Sequence, residues 1–102
     1  MEDFLNNLDQ EDEPMVDADA FVKPVALLEE SDVKTVIEEA KAGNIVLLNI
    51  TDLSKRNALR LKDFVGSIRE QILQIDGDIA RISQDRVLIT PSRVKIIKKA
   101  GR

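Results

Sequence analysis

The apolar positions of the chain recur at two helical spacings, which predict two amphipathic helices. Residues 31–43 show the first, with Ser31 as the expected N-cap and Gly43 as the expected end. Residues 55–75 show the second, which stops at Asp76-Gly77. The predicted buried stripes are Val33, Val36, Ile37 and Ala40 in the first helix, and Ala58, Leu61, Phe64, Val65, Ile68, Ile72 and Ile75 in the second.

Short apolar runs with a strand pattern lie before, between and after these helices. Residues 20–29 predict an edge strand, because Pro24 cannot donate a hydrogen bond to a sheet. Residues 44–50 are almost continuously apolar, which is typical of a strand buried on both faces. Three more strands are predicted near 78–83, 86–90 and 93–98.

This order, β-α-β-α-β-β-β, predicts an α/β fold in which a sheet of about five strands carries two helices on one face. The result is a two-layer sandwich. The strands at 44–50 and 86–90 supply apolar side chains to both faces, and the helices cover only one. We therefore predict a homodimer through the uncovered face, with Ile45, Leu47 and Leu88 in the interface.

Charge divides the chain of 102 residues, whose net charge is −4, into unequal parts. Residues 1–22 hold eight acids and no base, whereas the remainder is mildly basic. We predict an acidic N-terminal segment with a flexible linker at 1–19, a globular domain at 20–98 and a basic end at 99–102. No secretory signal or membrane-spanning run is visible, which favours a cytoplasmic protein.

The composition removes most catalytic chemistry. Without cysteine or histidine, the chain has no disulfide, no thiolate zinc site, no cysteine nucleophile and no Ser-His-Asp triad. Asp52, Asp76 and Asp78 are magnesium ligands in principle, but a helix-to-strand turn explains Asp76-Gly77-Asp78 better. We expect no enzyme activity, no metal and no cofactor.

The N-terminal segment carries one apolar helical stripe, formed by Met1, Phe4, Leu5 and Leu8. Such a stripe suits a membrane surface, but its neighbours are acids, which anionic lipid repels. On these residues alone a disordered tail or a protein-binding motif is favoured over a membrane anchor.

Basic residues cluster toward the C-terminus and raise the alternative of a nucleic-acid-binding module. With only three aromatic residues in the chain, no base-stacking platform is evident. Solvated charge on strand faces is the simpler explanation, so no nucleic-acid partner is expected. The residues of this cluster are Arg81, Arg86, Arg93, Lys95, Lys98 and Lys99.

Four ordered stretches resemble the SepF-type cell-division proteins, particularly the archaeal ones. They are "VKPVAL" (22–27), "IVLLNITDLSKRNALRLKDFV" (45–65), "DGDIARIS" (76–83) and "RVLITPSRVKI" (86–96). The resemblance implies a dimeric, non-enzymatic adaptor that binds the C-terminal tail of the tubulin-like protein FtsZ. It also implies an N-terminal amphipathic helix that tethers FtsZ filaments to the cytoplasmic membrane at the division site.

The resemblance also implies where the FtsZ peptide binds. Carried over by position, Phe64 and Ile68 line the helix side of the site, and Arg81 and Val87 line its strand side. The apolar side chains would hold hydrophobic residues of the peptide, and Arg81 would meet its carboxylates. Core packing is an equally good explanation for Ile68, and solvated charge is the alternative for Arg81.

Overall fold

The computed structural model describes residues 18–98, which form one four-stranded sheet with helices. The mixed α/β prediction is confirmed, but residues 93–98 form no strand, so the predicted fifth strand is wrong. The elements are β1 (Val22–Ala26), α1 (Glu30–Lys41), β2 (Ile45–Asn49), α2 (Thr51–Arg56), α3 (Ala58–Gln74), β3 (Asp78–Arg81) and β4 (Arg86–Thr90).

The strands lie in the order β1-β2-β4-β3. β1 and β2 are parallel, as expected for two strands joined through a helix. β4 is antiparallel to both of its neighbours, and places Val87 opposite Leu48 on one side and opposite Arg81 on the other. The Thr90 end of β4 therefore lies beside the start of β2 and the start of β3.

One face of the sheet packs against the helices and forms the core. Alternate residues of β2 and β4 point to this face, because side chains in a strand alternate between its two sides. Both helical stripes contribute, which confirms most of their predicted members. The buried apolar residues are Leu27, Val33, Val36, Ile37, Ala40, Val46, Leu48, Ile50, Leu53, Ile68, Ile72, Ile79, Val87 and Ile89.

The start of α1 differs from the prediction. The carboxylate of Asp32 accepts hydrogen bonds from the backbone N–H groups of Leu28 and Glu29, both at 2.9 Å. These bonds satisfy donors ahead of the first turn, so the helix begins at Glu30 and Glu29 occupies the N-cap. Ser31 lies inside the first turn instead of capping it.

The long helix predicted over 55–75 is interrupted at Asn57. The Asn57 side chain accepts a hydrogen bond from the backbone N–H of Arg60 at 3.0 Å and so caps α3. Its φ of −157° lies outside the helical range, which separates α2 from α3. Residues 51–56, of which only 55 and 56 belong to the predicted helix, therefore form a short helix of their own.

A tight turn carries the chain from α3 into β3. Asp76 adopts a φ of 64°, in the left-handed region that aspartate tolerates better than most residues. The N–H of Gly77 donates to the carbonyl oxygen of Ile72 at 2.8 Å. A Cβ atom built on Gly77 would collide with the Thr90 carbonyl oxygen and lie 2.9 Å from the Cγ2 atom of Ile72. Only glycine fits this close approach.

Residues 91–98, here called the C-terminal strap, follow β4 and are tied to β3. The Asp78 carboxylate accepts the Ile96 N–H at 3.0 Å and the Lys98 ammonium at 2.9 Å. The Thr90 hydroxyl donates to the carbonyl oxygen of Val94 at 2.6 Å. These bonds give the strap a fixed position without making it part of the sheet.

Candidate functional site

The hairpin of β3 and β4 presents one exposed arginine at its tip. Arg81 ends β3, and its guanidinium donates to the carbonyl oxygens of Ser83 and Gln84 at 3.3 and 2.7 Å. These bonds hold the side chain against the turn, and it makes no ion pair with any residue between 18 and 98. An oriented guanidinium with spare donors suits a carboxylate from a partner.

Val87 lies opposite Arg81 in the hairpin but is buried beneath the helices. Ile68 of α3 is fully buried in the same core. Neither side chain reaches the surface, so both belong to the core that underlies the surface around Arg81. For Ile68, the structure shows the core packing that the sequence left open as an alternative.

Phe64 lies on the side of α3 that is turned away from β3, the strand that ends at Arg81. Its neighbour two turns along, Gln71, occupies the same helical face and lines a groove with Val33 and Ile37 of α1. The helical period thus places Phe64 on the side of α3 nearer α1, whereas Arg81 ends the edge strand β3. The Phe64 ring is half-buried and stacks under the guanidinium of Arg60, at 5.1 Å from the ring centroid.

Sequence reasoning missed two exposed apolar residues in this region. Ile82, next to Arg81, is 51% exposed, and Leu59 in the first turn of α3 is 76% exposed. The predicted strand at 78–83 includes Ile82, but β3 ends at Arg81. The polar run Ser83-Gln84-Asp85 was the available signal that the hairpin turn starts earlier.

The face of the sheet away from the helices is apolar and open. Leu47 pairs directly with Leu88, and Ile45 pairs with the exposed Val22 of β1. Together with the strap, they enclose a shallow groove of about 490 Å³. The three residues predicted for a dimer interface, Ile45, Leu47 and Leu88, thus share one surface.

The basic residues considered for nucleic acid are largely engaged locally. Lys95 and Lys98 pair with Asp76 and Asp78, at 3.4 and 2.9 Å. The Arg86 guanidinium donates to the carbonyl oxygen of Asp85 at 3.3 Å. Of the described cations in this cluster, Lys95 and Lys98 are thus paired with acids of the same domain.

Asp78, which was weighed as a magnesium ligand, binds the strap instead. The hydrogen bonds from the Ile96 N–H and the Lys98 ammonium lower the pKa of its carboxyl from 3.8 to about 2. Among residues 18–98 no three acidic side chains converge as metal ligands. The carboxylate therefore has a structural partner that explains its position.

The predicted membrane contacts Met1, Phe4, Leu5 and Leu8 lie outside the described residues. Within 18–98, no helix has the length and apolar character needed to cross a bilayer.

The family model for "Cell division protein SepF" matches residues 22–96, from the first residue of β1 into the strap. The chain belongs to the SepF family. This match includes Arg81, the sheet residues of the open face and the contact of Asp78 with Ile96, and it confirms the family identified from the four sequence stretches.

Curated SepF proteins from bacteria and archaea match the same region. The protein from Micrococcus luteus is 33% identical over 67 residues, which is 66% of this chain and 30% of that protein. The protein from Haloferax volcanii is 25% identical over 99 residues, covering 96% of this chain and 83% of that protein. The chain spans less than half the length of the bacterial SepF relatives that it matches.

Two solved archaeal structures share the fold. The SepF-like protein from Pyrococcus furiosus superposes with a TM-score of 0.72 at 29% identity, covering 83% of this chain and 99% of that one. The SepF-like protein from Archaeoglobus fulgidus gives 0.71 at 24% identity, covering 80% and 98%. The four-stranded sheet and its helices are therefore a SepF-like architecture.

Proposed function

We propose that this SepF-family chain is a non-enzymatic adaptor that binds the C-terminal tail of FtsZ and links its filaments to the cytoplasmic membrane at the division site. The family match across residues 22–96 carries this proposal, because it covers nearly all of the described fold. The residue chemistry agrees, since a chain without histidine or cysteine has few means of catalysis.

The FtsZ peptide would bind around the tip of the β3–β4 hairpin and the N-terminal half of α3. Arg81 would bind acidic groups of the peptide, and the exposed Ile82 beside it would contact an apolar side chain. Because Phe64 lies on the α1 side of α3, a peptide that contacted both Phe64 and Arg81 would have to cross this helix. Ile68 and Val87 would keep the surface rigid from within the core.

A homodimer would bury the open sheet face, with Ile45, Leu47 and Leu88 from each copy. An exposed apolar sheet face in a domain this small is unfavourable in water, and a two-fold contact removes it from solvent on both copies at once. The dimer would then present two peptide sites on its outer surfaces.

The N-terminal segment would reach the membrane through Met1, Phe4, Leu5 and Leu8. A dimer would supply two such segments and two peptide sites. Individually weak contacts then act at high effective concentration once the membrane and an FtsZ filament are both present. This bivalency is the mechanism that we propose for tethering.

The test is a fluorescence titration with the C-terminal peptide of FtsZ from the same genome. Saturable binding that Arg81→Glu weakens supports the site. Lys41→Glu is the matched control and undergoes the same charge reversal. Lys41 is exposed at the end of α1 that leads into the start of β2, whereas the hairpin tip lies beside the other end of β2. Equal weakening in both variants would show a general charge effect and contradict the proposed site.

A further inference from the structure

The C-terminal strap has the sequence of a strand but no strand partner in the described chain. Apolar and basic residues alternate over Arg93, Val94, Lys95 and Ile96. The Val94 N–H donates to the carbonyl oxygen of Pro91 at 3.1 Å, and the Ile96 N–H donates to the Asp78 carboxylate. Neither bond belongs to a ladder between strands.

These bonds show which way the strap directs its backbone groups. The carbonyl of Val94 and the N–H of Ile96 both point toward the body of the domain, where Thr90 and Asp78 meet them. In an extended segment, alternate residues direct their N–H and C=O groups to opposite sides. No hydrogen bond within residues 18–98 uses the backbone groups of Lys95 or Ile97, which an extended strap would direct outward.

We infer that the strap forms a β-strand by antiparallel pairing with the strap of a second copy of this chain. The two-fold axis would pass between the two Ile96 residues. Lys95 of each copy would exchange both backbone hydrogen bonds with Ile97 of the other. This inference rests on the proposed dimer and adds a second, hydrogen-bonded element to its interface.

The charges of the strap are compatible with this register. Lys95 would lie opposite Ile97, and Val94 opposite Lys98, so no two cations face each other directly. Lys95 and Lys98 are also paired within their own chain, with Asp76 and Asp78. The neighbouring register that two-fold symmetry allows would place Lys95 opposite Lys95 of the other copy and bring like charges together, which disfavours it.

The apolar surface also fits a second copy. Ile97 is 89% exposed and Val22 is 63% exposed, and both border the groove that contains Leu47 and Leu88. If the straps paired, the grooves of the two copies would join into one continuous apolar interface. A two-fold arrangement requires such a self-complementary surface.

Amide hydrogen exchange on the unmodified full chain tests the inference without any risk of misfolding. We measure exchange of the Lys95 and Ile97 amides at concentrations above and below the dimer dissociation constant, which sedimentation determines in parallel. The expected result is exchange at least about tenfold slower in the dimer for both amides. Equal rates in a dimer and a monomer would overturn the strap pairing and leave the sheet-face dimer standing.

A single-cysteine variant tests the register itself, since the natural chain has no cysteine. Directly opposite residues of a non-hydrogen-bonded antiparallel pair have Cα atoms about 4.5 Å apart, within the range of a disulfide. Ile96→Cys should therefore cross-link quantitatively under mild oxidation, and Leu59→Cys on α3 should not. A dimer in which both variants stay uncross-linked would contradict this register. A chain that sediments as a monomer throughout would overturn both the dimer and the strap pairing.

Discussion

The carboxylate of Asp78 accepts the backbone N–H of Ile96 at 3.0 Å, and so fixes the C-terminal strap to the first residue of β3. The two residues are 18 positions apart in the chain, and β4 lies between them. The same carboxylate binds the Lys98 ammonium. One acid therefore holds a segment that contributes a wall of the open apolar groove.

Asp78 should make the free energy of unfolding depend on pH in the acidic range. Its carboxyl has a pKa of about 2 when folded and 3.8 otherwise, so the unfolded chain takes up the proton first as the pH falls. The contribution is complete above about pH 4 and is lost progressively as the pH drops toward 2. Denaturant unfolding followed across this range should show a shallower acid dependence in Asp78→Asn than in the natural chain. Identical pH profiles would show that the carboxylate does not hold the strap in solution.

Gly77 and Gly66 should respond in opposite directions to alanine. A Cβ at Gly77 meets the Thr90 carbonyl and the Ile72 side chain, so Gly77→Ala should destabilise the fold by about 1–3 kcal/mol. A Cβ at Gly66 of α3 meets nothing within 4 Å, so Gly66→Ala should stabilise it by up to about 1 kcal/mol. Urea unfolding of both variants measures the difference. A neutral Gly77→Ala would mean that the turn is looser than the structure shows.

A charge on the open sheet face should dissociate the proposed dimer. Leu88 lies at the centre of this face, paired with Leu47, so Leu88→Asp would bury a carboxylate without a partner. Sedimentation should give a monomer for this variant. Leu59→Asp is the control, since Leu59 is exposed on α3, away from the sheet, and this variant should remain dimeric. Dimers in both variants would place the interface elsewhere.

Membrane binding should depend on the apolar stripe of the N-terminal segment. Replacing two of its members, with Phe4→Asp and Leu8→Asp together, removes apolar area and adds charge that lipid repels. This double variant should no longer co-sediment with liposomes. Asn6→Asp with Asn7→Asp is the control, which adds the same charge but keeps the stripe and should still co-sediment. If the double variant of the stripe still sediments with liposomes, another part of the chain binds the membrane.

Local sequence patterns predicted most of the elements because burial follows periodicity directly. The stripe of α1 and two residues of the apolar run of β2, Val46 and Leu48, lie in the core, whereas Ile45 and Leu47 of the same run lie on the open face. The boundaries depended on individual side-chain hydrogen bonds. Asn57 caps α3 and Asp32 fixes the start of α1, and neither effect is visible in a hydrophobic pattern.

The conformation of the strap and the relative positions of the candidate site residues could be predicted only with knowledge of the tertiary structure. Residues 93–98 alternate like a strand, but only the partners across the sheet decide whether a ladder forms. The side of α3 that Phe64 occupies depends on where α1 packs, which the spacing of one helix does not reveal. The separation of Phe64 from Arg81 was therefore not predictable from the sequence.

The most direct test of the adaptor proposal is the affinity of the chain for the C-terminal peptide of FtsZ, measured for the natural chain, Arg81→Glu and Lys41→Glu. We predict saturable binding in the micromolar range for the natural chain and for Lys41→Glu, and an affinity at least about tenfold lower for Arg81→Glu. No saturable binding by a chain that is folded and dimeric would contradict the proposal that this SepF-family protein recruits FtsZ.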